Sequence, residues 1–385
     1  MDKVAYFDNA ATTFPKPEDV YAFTDRFHRE CGVNMGRGQY KLAGKAATMV
    51  GETRELLLSL NHCWNKRVVF THTATEALNI ILRGIPLDNG GNVYVSPFEH
   101  NAVLRTLHDM VGSIDIHVSM LAFDKGNGVY DLERIKYQFA DCRPNIVVIS
   151  HASNVCGILA PIPEIFQMAK NFEAVTVVDM CQTMGLVDTD LGNPIIDYAV
   201  FAGHKTLYAP FGVAGFICAV DSELRPLLFG GTGIDSANHA MPETIPERFE
   251  AGSLNTMAIA GLNASLKWLQ GVGIDAVFEV EQQHHLRLLG LLEQYRNIKI
   301  VPLMRRDNSI GVVSCVFDGY SSDSIGWILS EKDVAVRTGL HCAPGAHRLL
   351  GTFPSGTVRF SVGYFNTDED FEILRNALDH INRNS

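Results

Sequence analysis

The chain has 385 residues, 46% hydrophobic and 19% charged, which describes a well-buried folded protein long enough for two units and excludes a disordered chain. Its formal charge is −11 and no basic run exceeds Arg305-Arg306, which argues against nucleic acid and anionic membrane as main partners. The first residues carry no apolar signal core, the apolar stretch at 213–220 is far short of a membrane span, and eight cysteines form no C-x-x-C pair, so we expect a cytoplasmic protein with no disulfide framework and no metal site.

Residues 1–15 are expected to return to a small C-terminal unit. From about 66 to 220, short β-rich runs alternate with helical patterns. Strands are predicted at 67–71, 92–96, 114–119, 146–150, 175–178, 198–202 and 215–220. Several are unbroken Val/Ile/Phe blocks, as expected for strands covered on both faces. A helix over 75–83 stops before Gly84, and another over 163–170 opens on Pro163. The alternation implies an α/β fold with a mostly parallel sheet, helices on both faces, and ligands bound at the carboxyl ends of the strands. Beyond 262 the texture changes. Helical stretches at 260–269 and 275–295 precede strands at 310–317, 334–337 and 357–361, a helix at 322–332 and a terminal helix from Asp368. The expected division is a large unit over 16–262 and a smaller α+β unit made of 1–15 and 263–385.

Two of the predicted strands end in chemically loaded residues. The run 175–178 leads into Asp179, and the run 198–202 leads through Gly203 and His204 to Lys205. A lysine and a carboxylate leaving neighbouring buried strands suit pyridoxal phosphate: the lysine forms a Schiff base with the aldehyde, and the carboxylate keeps the pyridine nitrogen protonated. Thr71-His72-Thr73-Ala74-Thr75-Glu76 joins a strand to a helix whose first turn has free N–H groups, either a phosphate site or a plain threonine cap. His100 follows the strand at 92–96 and is placed either over a cofactor ring or as an ordinary loop histidine. Asn154, after the strand at 146–150, and Gln182, three residues past Asp179, are expected to reach the phenolic oxygen of such a ring. Arg359 is a charge inside an apolar strand, suited to bidentate capture of an amino acid carboxylate or to a structural ion pair. Cys342 lies in a Gly- and Pro-marked loop with cationic neighbours, as a nucleophile or an inert thiol.

The segments Asp8-Asn9-Ala10-Ala11-Thr12-Thr13, Ala74-Thr75-Glu76, Glu99-His100-Asn101, Ser153-Asn154-Val155-Cys156-Gly157, Asp179-x-x-Gln182, Gly203-His204-Lys205, Phe249-Glu250-Ala251-Gly252-Ser253 and Arg337-Thr338-Gly339-x-His341-Cys342 run in order through nearly the whole chain. In this it resembles the class V branch of fold-type I pyridoxal phosphate enzymes, and within it the cysteine desulfurases of the second, selenocysteine-lyase-like group. The resemblance implies Lys205 as the Schiff-base lysine, Asp179 as partner of the ring nitrogen and His100 stacked on the ring. Asn154 and Gln182 would bind near the phenolic oxygen. Ala74, Thr75 and His204 would hold the phosphate, and Ser253 would reach that of a neighbouring subunit, which implies a homodimer with shared sites. Arg359 would bind the substrate carboxylate, with Asn9, Arg37, Asn154 and Arg337 in the same substrate pocket. Four positions depart from the family pattern: Ala202 and Ala74 stand where hydroxyl residues are usual, Ser253 replaces a threonine, and Leu340 replaces a histidine.

The implied reaction converts L-cysteine to L-alanine and leaves the sulfur on Cys342 as a persulfide, for passage to a sulfur-acceptor protein. Lys205 would move the α-proton and His100 would handle protons near the substrate thiol, help typically worth about 10²–10⁴-fold. Three other activities compete with this one: a selenocysteine lyase, another class V aminotransferase, lyase or epimerase, and a non-catalytic sulfur-carrier scaffold. Metal binding through His341-Cys342 and His284-His285 has no ligand spacing to support it.

Overall fold

The computed structural model describes residues 3–35, 38, 40–87, 90–234, 237–301 and 308–383. A seven-stranded sheet runs in the spatial order Lys66–Thr71, Ala214–Ala219, Tyr198–Ala202, Val175–Asp179, Ile146–Ser150, Gly91–Val95 and Ile116–Met120. Ala214–Ala219 is antiparallel to both its neighbours, and every other pairing is parallel. This is the mostly parallel α/β sheet that the alternation predicts. Every residue of Ile146–Ser150 and Tyr198–Ala202 is buried, because apolar layers cover both faces. Successive side chains of a strand enter opposite layers. Val147 and Ile149 join one apolar cluster with Phe201 and Ile217, whereas Ile146 and Val148 join the other with Val200 and Phe216.

A second sheet of four antiparallel strands follows the order Ile298–Val301, Val312–Phe317, Thr357–Ser361 and Arg337–Gly339. Its apolar cluster takes side chains from the helices Ile274–Leu292, Ser322–Ser330 and Asp368–Arg383, and also Ala5 and Phe7 from the start of the chain. Ala5–Tyr6 pairs in parallel with Val334–Ala335, and Asp8 bridges to Ser361. The helix Thr256–Val272 packs on Glu18–Cys31 and Lys41–Leu60, and it runs unbroken through residue 262. No helix among the described residues is long and apolar enough to cross a membrane.

The register does the positioning. Ser150 pairs with Asp179, and Asp179 with Val200, so the carboxyl ends of three adjacent strands meet at one edge of the sheet. The strand Ile298–Val301 and the short helix Pro344–Leu350 were not expected from the sequence.

Candidate active site

Five strands of the central sheet end at one place, and their last residues and the segments that follow carry Ala74 and Thr75, His100, Asn154, Asp179 and Gln182, and His204 and Lys205. All of these, with Arg337 and Arg359 from the second sheet, line a single cavity of about 320 Å³. The fold thus brings together, from seven separate segments, residues that the sequence singles out.

Lys205 is delivered by a turn that needs glycine. The Gly203 N–H donates to Val213 O at 3.0 Å, and a Cβ on Gly203 would stand 2.7 Å from that oxygen. The turn is then fastened from the N-terminal segment. The His204 carbonyl accepts from Thr12 Oγ1 at 2.8 Å and Lys16 Nζ at 2.7 Å, and the Lys205 carbonyl accepts from Thr13 Oγ1 at 3.0 Å. Burial pushes the Lys16 ammonium down to about 7.

Asp179 is buried, and its Oδ1 accepts the Cys181 N–H at 2.9 Å. His100 caps the helix Asn101–Val111 by accepting the Ala102 N–H on Nδ1 at 3.0 Å. A ring nitrogen that accepts carries no proton, so the neutral imidazole keeps its proton on Nε2. Burial first, and Lys205 second, lower its pKa and favour that neutral form. Behind it sits Glu99, whose role the sequence left unread. Its carboxyl accepts Ser96 Oγ at 2.5 Å, the Ser150 N–H at 2.6 Å and Ser150 Oγ at 3.0 Å, and burial pushes it up to about 7. Glu99 thus stitches two strand ends together immediately before the His100 turn.

The opposite wall is built for an anion. Thr73 Oγ1 takes the Glu76 N–H at 3.1 Å, and Glu76 reaches back to the His72 N–H at 2.9 Å. This cap leaves the first-turn N–H groups of Ala74 and Thr75 at the cavity wall, at the positive end of the helix Ala74–Gly84. His204 stacks on Phe211 with ring centroids 4.5 Å apart, and burial pushes its pKa down to about 3. Among the described residues, His204 Nδ1 and Arg359 Nε are buried without a hydrogen-bond partner. An amine, a buried carboxylate, a flat imidazole and a helix N-terminus with spare donors fit an aromatic aldehyde that carries a phosphate.

Arg359 is buried, yet it borders the cavity. Nη1 donates to Asn154 O at 2.9 Å and Nη2 to Asp8 Oδ1 at 2.7 Å. The structural ion pair is present, and the guanidinium keeps donors to spare. Gln182 Nε2 donates to Ala10 O at 2.9 Å.

Cys342 is half-buried, with Arg337 Nη2 at 3.2 Å from Sγ. His341 and Cys342 both have left-handed backbones, with φ of 47° and 59°, a conformation that costs non-glycine residues about 1–3 kcal/mol each. The loop is tied in place. Asn154 Nδ2 donates to His341 O at 2.7 Å, the Asn101 N–H to Cys342 O at 2.7 Å, and the Ala343 N–H to Leu340 O at 2.8 Å.

Three expected site residues, Cys342, Asn9 and Ser253, are not among those that line the cavity. Asn9 is buried with its amide donating to Ser361 O at 3.0 Å, and its Oδ1 accepts the Phe14 N–H at 3.3 Å. Ser253 is exposed, accepts from Asn34 Nδ2 at 3.1 Å, and borders a separate groove of about 990 Å³. Arg37 lies outside the described residues.

Comparison with known proteins places this geometry. Residues 5–374 match the family model described as Aminotransferase class-V. A "Probable cysteine desulfurase" of Methanothermobacter thermautotrophicus is 31% identical over 98% of this chain and 94% of its own length. One of the same description from Pseudomonas putida is 31% identical over 97% of this chain and 92% of its own. The apo structure of a cysteine desulfurase from Thermococcus onnurineus NA1 superposes with a TM-score of 0.91 at 25% identity, covering 99% of this chain and 95% of that one.

Proposed function

Since the chain belongs to the class V aminotransferase family, we propose that it is a pyridoxal phosphate-dependent cysteine desulfurase, taking sulfur from L-cysteine onto Cys342 and releasing L-alanine. One observation carries the reading: Lys205, buried Asp179 and Arg359 border a single cavity, and Arg337 of that same cavity stands 3.2 Å from the Cys342 sulfur. When bound, pyridoxal phosphate supplies an electron sink for the bond broken at the substrate α-carbon.

Lys205 holds the cofactor aldehyde and moves the α-proton. Asp179 keeps the ring nitrogen charged, with Asn154 and Gln182 toward the ring oxygen. Ala74, Thr75 and His204 take the phosphate. Arg359 binds the substrate carboxylate, with Arg337 on the same cavity wall. His100, with its proton on Nε2, serves the substrate sulfur. Cys342, beside Arg337, attacks that sulfur as a thiolate; the new S–S bond forms as the C–S bond breaks, and the electron pair stays with carbon. The exposed place of Ser253 supports a homodimer in which it serves the partner's phosphate. The smaller unit, 1–15 with 263–385, brings Cys342 and Arg359 to the larger one, 16–262.

The test is alanine and sulfide release from L-cysteine under a thiol reductant, wild type beside Cys342→Ser. Equimolar products that vanish in the variant are expected. Alanine release unchanged by the substitution, or no reaction with cysteine, overturns the reading in favour of selenocysteine or another class V activity.

A further inference from the structure

We propose that Asn154 is a positioning residue that ties the Cys342 loop to the wall of the cofactor cavity, so that the thiol is placed by the same residue that borders the reacting centre. The inference rests on the functional reading above and deepens it. Asn154 sits in the fully buried turn after Ile146–Ser150, and it makes two contacts through two different groups. Its side-chain Nδ2 donates to His341 O at 2.7 Å, and its backbone carbonyl accepts Arg359 Nη1 at 2.9 Å. One residue thus touches both the nucleophile's loop and the guanidinium assigned to the substrate.

A second tie acts on the next carbonyl. The Asn101 N–H, at the start of the helix that His100 caps, donates to Cys342 O at 2.7 Å. Two consecutive carbonyls are therefore anchored to two different loops of the cavity wall. The left-handed backbones of His341 and Cys342 explain why the loop needs anchors: residues in that region stay there only when surrounding contacts over-determine them. A primary amide has two N–H groups, so the tie to His341 leaves one for a group inside the cavity, which Asn154 borders. The distance from Cys342 to the reacting centre is then a property of the wall and not of a swinging arm.

Hydrogen exchange on the cofactor-free protein tests this without relying on activity. In Asn154→Ala, and in the milder Asn154→Ser, the amides of Asn101 and Ala343 should exchange about 5-fold faster, the equivalent of one hydrogen bond of about 1 kcal/mol. Exchange in Val175–Asp179 should stay as in wild type. Unchanged protection of Asn101 and Ala343 in both variants refutes the tie. A rise spread equally over the central strands in both variants refutes it too, since it reports general loosening. The visible absorbance of wild type loaded with pyridoxal phosphate judges the functional reading separately: its absence sinks that reading and leaves the exchange result standing on its own.

Discussion

Glu281 offers a prediction whose size follows from the structure. It is a fully buried carboxyl in Ile274–Leu292, and the hydrogen bond it receives is a 3.3 Å contact from the Gly311 N–H. Burial pushes it from its ordinary value near 4.5 up to about 8. A carboxyl raised in the folded state binds more protons folded than unfolded, so its contribution is intact below about 4.5, erodes as pH rises, and is lost above about 8. Each pH unit inside that window costs about 1.4 kcal/mol, and integration from pH 5.5 to 8.5 gives a loss of about 3 kcal/mol. Glu281→Gln cannot ionise and removes this loss. At roughly 2.1 cal/mol/K per residue, the melting entropy of a 385-residue chain is about 0.8 kcal/mol/K, so the loss is worth about 4 °C. The assay is the melting temperature of wild type and variant at pH 5.5 and at pH 8.5. Any constant offset from the new amide cancels, and the variant should gain about 4 °C on wild type between the two pH values. A gap that does not widen with pH refutes the reasoning.

Arg359→Lys keeps the charge but loses the planar fork, and kcat/KM for L-cysteine should fall about 10- to 100-fold. A rise in KM locates the loss in substrate binding, and a change under about twofold would remove Arg359 from the substrate site. Arg54 grips Glu250 through two bonds of 2.9 and 2.8 Å, and Glu250 also accepts the Phe70 N–H at 2.7 Å. Arg54→Ala strands that buried carboxylate and should cost about 3–5 kcal/mol in urea unfolding, with part recovered by adding Glu250→Gln. Equal stability of the single variant and wild type would show the pair to be dispensable.

What could be read in the sequence was whatever a local pattern writes. The strand at 146–150 is an unbroken β-branched block because both its faces are covered, and the terminal helix starts where Asp368-Glu369-Asp370 supplies an acidic first turn. Asp179 stood out because it ends such a block, and Lys205 because it follows the buried run 198–202 through Gly203 and His204. Asp8 was legible only as part of a motif, since its partnership with Arg359 spans 351 residues and no spacing encodes it. Glu99 stayed silent for the same reason: its partners come from the ends of two different strands. Ile298–Val301 is only four residues long and half-buried, too short for a period, and Pro344–Leu350 was absorbed into the turn residues around Cys342.

The pairing of Asp8 with Arg359, and the fastening of the Lys205 turn by Thr12, Thr13 and Lys16, set an order of maturation during synthesis. The wall that carries Asp179 and Lys205 can close on the N-terminal clamp once little more than half of the chain has left the ribosome. The guanidinium arrives last, only when Thr357–Ser361 has been made and has found its place beside the first residues of the protein. Contacts of such long sequence separation form slowly, because the intervening chain must be ordered before they bring any gain. A nascent chain can therefore form the wall that carries Asp179 and Lys205 well before Arg359 joins it, and the cavity is completed only near the end of translation.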